Sequence, residues 1–175
     1  ANRNPRGAAL VLLTPDGGAE RVSNGRLLAE AEGYAAALAQ DGAVPGGPTL
    51  LVIPHSVDLL AAFWGAMLAG TAPVILPYMA PHTRLDAYID RVAEGVRRLG
   101  AAHLITTDRW REPLAARLSE TGCRIVVERS PVRDAAAAPL PDSTGLDSPA
   151  YIQLSSGTTG VPRGAVLSRR AVMAQ

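Results

Sequence analysis

Apolar residues recur along this chain with two periods, and the two alternate. Residues 8–14 form a short apolar run. Asp16-Gly17-Gly18 carries a tight-turn signal, and Glu20-Arg21-Val22-Ser23 returns, so a hairpin is expected first. Ser23 or Asn24 then caps a helix running to about Gln40, with Leu27, Leu28, Ala31, Tyr34, Ala35 and Leu38 on one face. A Gly/Pro turn over 42–48 leads to a continuous apolar run at 49–53. Such a run suits a strand of a parallel sheet covered on both faces.

The alternation continues. Ser56 caps a second helix whose Leu59, Leu60, Phe63 and Met67 repeat at helical spacing, with Asp58 in its first turn complementing the helix dipole. Gly65, Ala66 and Ala69 on that helix permit close packing. Residues 72–76 read as the next strand. Thr83 with Asp86 has the spacing of a capping box before a helix striped by Leu85, Ile89, Val92 and Val96. Strands are expected at 103–106 and 124–127. Between them lies a short helix at 112–120, with Pro113 in its first turn and Gly122 after its end. Residues 131–149, rich in Ala, Pro and Asp and without periodicity, read as an exposed connector. This order predicts an α/β fold: a doubly wound, mostly parallel sheet with flanking helices, and with 49–53, 72–76 and 103–106 in adjacent core positions.

One stretch carries chemistry. Six consecutive residues, Ser155, Ser156, Gly157, Thr158, Thr159 and Gly160, are only Ser, Thr or Gly. The strand-like Tyr151-Ile152-Gln153-Leu154 precedes them, and Pro162, Arg163, Gly164 and the strand-like Ala165-Val166-Leu167 follow. Glycines let successive N–H groups turn toward one anion, and the hydroxyls add donors. Arg163 adds a planar, permanently charged fork suited to phosphate oxygens. A flexible Ser/Gly linker would not need two flanking strands or the stiffening of Pro162. The stretch is not a Walker loop, which would require Gly at 162 and Lys at 163. No Gly-x-Gly-x-x-Gly occurs, so a dinucleotide oxidoreductase of the same fold class has no support.

Residues 155–164 resemble the phosphate-loop signature of the adenylate-forming superfamily, which includes acyl-CoA synthetases, fatty-acyl-AMP ligases and peptide-synthetase adenylation domains. Ser155, Ser156, Gly157, Thr158, Thr159, Gly160, Pro162 and Gly164 match its pattern. Arg163 stands where the family usually has Lys, and Arg169 where it often has His. The stretch from Ala61 to Val74 also resembles the family's N-terminal region, in a form similar to fatty-acyl-AMP ligases and to loading modules of polyketide or hybrid peptide synthetases. The resemblance implies that 1–175 is the N-terminal portion of an AMP-binding domain. It further implies that ATP and Mg²⁺ are used, that Ser155 to Gly160 with Arg163 and Gly164 bind the nucleotide, and that Arg163 supports catalysis. The implied reaction is attack of a carboxylate on ATP to give acyl-AMP, with transfer to a thiol of coenzyme A or an acyl carrier protein. The other reading is a degenerate nucleotide-binding or interaction domain without catalysis.

Composition narrows this modestly. Hydrophobic content of 47% and charged content of 19% fit a folded domain. A net charge of +1 gives no nucleic-acid surface. All 17 basic residues are Arg, so Arg163 follows a habit of the whole chain. The lone Cys123 cannot form an internal disulfide, which suits a cytoplasmic setting. It reads as a buried, inert thiol. Residues 59–82 carry no charge, but Gly70, Thr71 and Pro73 break them into helix, turn and strand, so no membrane span is expected. His55, His82 and His103 lack metal-ligand spacing. Phe63 and Trp64 read as core. With no initiator Met and an end just past the loop, the chain reads as part of something longer, inactive by itself.

Overall fold

The computed structural model describes residues 8–13, 17–128, 145–155 and 163–174. A hairpin of β1 (Ala8–Leu13) and β2 (Ala19–Ser23) leads into α1 (Asn24–Gln40). There follow β3 (Pro48–Val52), α2 (Val57–Leu68), β4 (Ala72–Ile75), α3 (Leu85–Leu99), β5 (His103–Thr106), α4 (Asp108–Leu118) and β6 (Arg124–Val127). Strands β3 to β6 form a parallel sheet in the order β4-β3-β5-β6. In register, Leu50 is flanked by Val74 and Leu104. The three runs expected side by side are therefore neighbours, with β3 in the middle.

Period-two alternation divides these strands between two cores. Leu50, Val52, Val74 and Leu104 face α3 and α4, where they pack with Ile89, Val92, Val96, Trp110 and Leu114. Leu51, Ile53 and Ile105 face α1 and α2, with Tyr34, Leu38, Leu59 and Ala62. Helices thus cover both faces, as the doubly wound expectation requires. Two threonines inside the sheet are paired. Thr49 Oγ1 donates to Thr71 Oγ1 at 3.0 Å, and Thr71 donates on to the Ala66 carbonyl. Thr106 Oγ1 donates to the Val52 carbonyl across the sheet at 3.0 Å.

Caps read from the sequence hold at two helices, after Ser23 and Ser56, and Ser168 caps a third. Ser23, Ser56 and Ser168 each accept a hydrogen bond from the backbone N–H three residues on. Thr83 does not cap. Its own N–H donates to the Ala80 carbonyl, closing a local turn, and α3 starts one residue late with Arg84 at its cap and no side-chain bond. Asp86 is then too early in the helix to complete a capping box. The helix expected at 112–120 begins at Asp108, and Pro113 lies inside it. Buried Trp110 anchors that unforeseen first turn, donating through Nε1 to Tyr78 Oη at 2.9 Å.

Other corrections concern exposure. Leu28, Leu85 and Trp64 are 51%, 47% and 46% exposed, so none belongs to the core assigned to it. The buried side of α2 is built mainly from small residues, including Ala61, Ala62, Gly65 and Ala66. The connector expected to reach residue 149 ends earlier. Gly145 to Ser148 form a turn, and Pro149 opens a strand. The rest of that connector up to 144 lies outside the described residues.

At Gly65, α1 and α2 touch backbone to backbone. A Cβ there would sit 2.5 Å from Tyr34 Cβ and 2.6 Å from the Ala31 carbonyl oxygen. Neither neighbour can swing aside. Gly65→Ala should therefore destabilise by about 1–3 kcal/mol despite alanine's better helix propensity. At Gly95 the nearest atom is the end of Leu76, at 3.2 Å, which can shift. Gly95→Ala should be close to neutral. Thermal unfolding of both variants in the full-length protein checks the contrast, and equal melting temperatures would contradict it.

Candidate functional site

The Ser/Thr/Gly run is carried by a second hairpin. Strands β7 (Pro149–Ser155) and β8 (Arg163–Ser168) pair antiparallel, and α5 (Arg169–Met173) follows. Ser155 and Arg163 are directly opposite one another in the ladder, and Gly164 faces Leu154. The chain's ends of the run are thereby brought together. Ser156, Gly157, Thr158, Thr159 and Gly160 lie outside the described residues, as does Pro162. Ser155 and Gly164 are exposed. Gly164 also has a packing reason to be glycine: a Cβ there would approach Ile152 Cγ2 to 3.0 Å.

The hairpin is seated on the main fold through both faces of β7. Strand β7 lies along β4 without joining its ladder. On one face, Ile152 and Leu154 pack against the α3/α4 core. On the other, Tyr151 meets Phe63 of α2, ring centroids 5.7 Å apart. Beyond β8, Arg169 Nη2 donates to the Met67 carbonyl at the end of α2, at 2.9 Å. Backbone bonds from Arg169 N to Ser148 O and from Arg170 N to Leu146 O tie the start of α5 to the turn before β7. Arg170 adds a two-pronged contact to Asp147, at 2.9 and 3.2 Å, on the exposed side. Sequence reasoning missed these supports. Arg169 drew notice only as a departure from a pattern.

The other candidates do not assemble into a site. His55 is exposed in the bend after β3, and His82 is exposed before α3. His103 is buried, with Nε2 3.3 Å from the Asp41 carbonyl. Arg124 Nη1 donates to that same carbonyl at 2.6 Å. No group of three or more His, Cys, Asp or Glu able to hold a metal occurs among the described residues. Arg97 and Arg98 pair with Glu94, whose carboxyl is held below its ordinary range chiefly by the Arg98 hydrogen bond. Arg109 lies 4.5 Å over the Trp110 ring. A groove of about 360 Å³ between α3 and α4 is lined by Leu85, Ile89, Pro113 and Arg117 among others.

A family model for AMP-binding enzymes matches residues 1–175. The chain belongs to that family. It is the adenylate-forming superfamily, and the match is to its N-terminal portion. Among curated relatives, a delta-poly-L-ornithine synthetase from Acinetobacter baumannii is 32% identical over 156 residues, 86% of this chain and 10% of the relative. A 4-chlorobenzoate–CoA ligase from an Arthrobacter species is 30% identical over 185 residues, 98% of this chain and 32% of the relative. Among solved structures, a fatty acid AMP ligase from Legionella pneumophila superposes with a TM-score of 0.81 at 20% identity. That match covers 98% of this chain and 29% of the ligase. ATP-bound MatB from Rhodopseudomonas palustris gives 0.76 at 21% identity, over 95% of this chain and 33% of MatB. The chain thus spans about a third or less of these proteins. The low-identity structures establish the shared fold.

Cys123 is half-buried just before β6, and burial pushes its thiol up to about 11. It is therefore no nucleophile at neutral pH. The neutral form dominates until pH approaches 11. At pH 8, alkylation by iodoacetamide should be about 100-fold slower than in the unfolded chain, since a rise of two units cuts thiolate about that much. Mass-spectrometric labelling rates against pH measure it. Rapid modification at pH 8 would remove the burial argument.

Proposed function

We propose that the protein carrying this chain activates a carboxylic acid with ATP, forming acyl-AMP and pyrophosphate. A thiol of coenzyme A or of an acyl carrier protein then takes the acyl group. The observation that carries this reading is the hairpin, which brings Ser155 and Arg163 opposite each other at the two ends of a Ser/Thr/Gly run. That donor set fits a polyphosphate: hydroxyls, glycine backbone and one guanidinium. A fatty acid or another acyl acid is the substrate class in this reading. The support is the chain's relatives, whose names include a putative acyl-CoA synthetase, a 4-chlorobenzoate–CoA ligase and a nonribosomal peptide synthetase.

In this reading Ser155, Ser156, Gly157, Thr158, Thr159, Gly160 and Gly164 bind the β and γ phosphates. Arg163 stabilises the negative charge that builds on the departing pyrophosphate. Mg²⁺, when bound, would share that charge. Backbone N–H donors ask only for small residues, which accounts for the composition of the run. The 175 residues alone, spanning so small a share of the relatives, would not complete the reaction. A cytoplasmic setting fits the lone, unpaired thiol. No helix among the described residues is long and apolar enough to cross a membrane.

The test is carboxylate-dependent exchange of pyrophosphate into ATP by the full-length protein, across a panel of fatty and aryl acids. ATP binding without exchange would favour a non-catalytic nucleotide-binding domain. Arg163→Ala should cost about 2–4 kcal/mol of transition-state stabilisation, the range for one preorganised donor. It should appear in kcat rather than in KM for the carboxylate. Arg163→Lys, which keeps the charge, should be mild. Wild-type rates in the Ala variant would remove Arg163 from the site.

A further inference from the structure

Arg169 is the one side chain beyond the hairpin that reaches back to α2 by a hydrogen bond among the described contacts. Its backbone N–H is held by the Ser148 carbonyl at 3.0 Å, so its Cα is fixed relative to the turn that starts β7. Its Nη2 donates to the Met67 carbonyl at 2.9 Å. The Met67 oxygen also accepts from the Gly70 N–H at 3.1 Å, so both its lone pairs are used. Arg169 therefore occupies the carboxyl end of α2, where carbonyl dipoles favour a cation. Its Nε is buried with no hydrogen-bond partner among the described residues. Desolvating part of a guanidinium is costly, and a casual surface arginine would not be held this way.

The placement matters because of what lies on either side. Arg169 directly follows β8, whose first residue, Arg163, pairs with Ser155. The other link to α2 is the Tyr151–Phe63 ring contact, on the partner strand. A tilted contact between rings tolerates sliding. A charged hydrogen bond to one carbonyl does not. We infer that Arg169 is a positioning residue for the β7–β8 hairpin: its bond to the end of α2 sets where that hairpin, and with it the ladder pair Ser155 and Arg163, sits on the fold. The inference rests on the adenylating reading for its kinetic consequence, but the anchoring itself does not.

Two measurements on the full-length protein decide it, using Arg169→Met and Arg169→Lys. Hydrogen exchange reports the anchor whatever the activity. In Arg169→Met the amides of β7 and β8 should exchange at least about tenfold faster, with β3 and β5 unchanged. ATP–pyrophosphate exchange reports the positioning. In Arg169→Met kcat should fall at least about tenfold with KM for the carboxylate unchanged, as expected for a misplaced reacting group. Arg169→Lys, which can still donate to the Met67 carbonyl, should recover most of that loss. Unchanged hairpin exchange in Arg169→Met overturns the anchor. Faster hairpin exchange with wild-type kinetics overturns the positioning role. A wild-type protein without pyrophosphate exchange would overturn the adenylating reading and the kinetic role together, while hydrogen exchange still judges the anchor.

Discussion

The contact between α1 and α2 at Gly65 sets the geometry that the rest of the fold uses. Where a Cβ would strike Tyr34 and the Ala31 carbonyl, glycine lets the two helices meet at backbone distance. Ala61, Ala62 and Ala66 continue the same logic toward the sheet and are fully buried. Val57 and Leu59 are the larger residues that α2 buries beside these small ones. Phe63 is left to meet Tyr151, and the Met67 carbonyl to meet Arg169. The hairpin with the polar run is thus supported by a helix whose position the interior has already decided.

Strand β3 makes the same point from the sheet. Leu50, Leu51 and Val52 have no exposure at all and Ile53 almost none, because helices cover both faces. A strand in that position can carry no alternation of polar and apolar residues, and it carries none. Its carboxyl end, like that of β5, opens toward the edge of the sheet where open α/β folds gather their sites. Here, however, the polar run is on neither strand. It is on a hairpin that adds to the fold from beside β4.

What could be read from the chain was whatever depended on near neighbours. Ser23 and Ser56 cap because an oxygen can reach an N–H three residues on, a relation contained within four residues. The β3, β4 and β5 runs were legible because burial on both faces leaves an unbroken apolar string. The misreadings arose where local signals competed. Thr83 had the spacing of a cap, but it lies in a turn closed on the Ala80 carbonyl and the helix takes Arg84 as its cap. Pro113 has the chemistry of a helix start, so the polar turn before it went unseen, although Trp110 buries itself there against Tyr78 and Tyr88. The polar run was visible in composition. Its supports were not, since the Arg169–Met67 bond joins residues 102 apart and no local pattern announces it.

The hairpin setting also bears on how a polyphosphate could be held. A loop that runs into a helix can draw on the aligned N–H groups and dipole of that helix. Here the residues after the run form β8, and α5 begins only at Arg169, with its exposed N–H donor capped by Ser168. A strand supplies almost no net dipole. In the proposed reading, the positive field comes from side-chain charge and from N–H groups of the run rather than from a helix dipole. Arg163, placed opposite Ser155, is the first cation the ladder offers. A charge of that kind works only at a fixed distance, so the position of the hairpin becomes part of the chemistry. In that reading, the packing of β7 against α2 and β4 serves function as well as the fold.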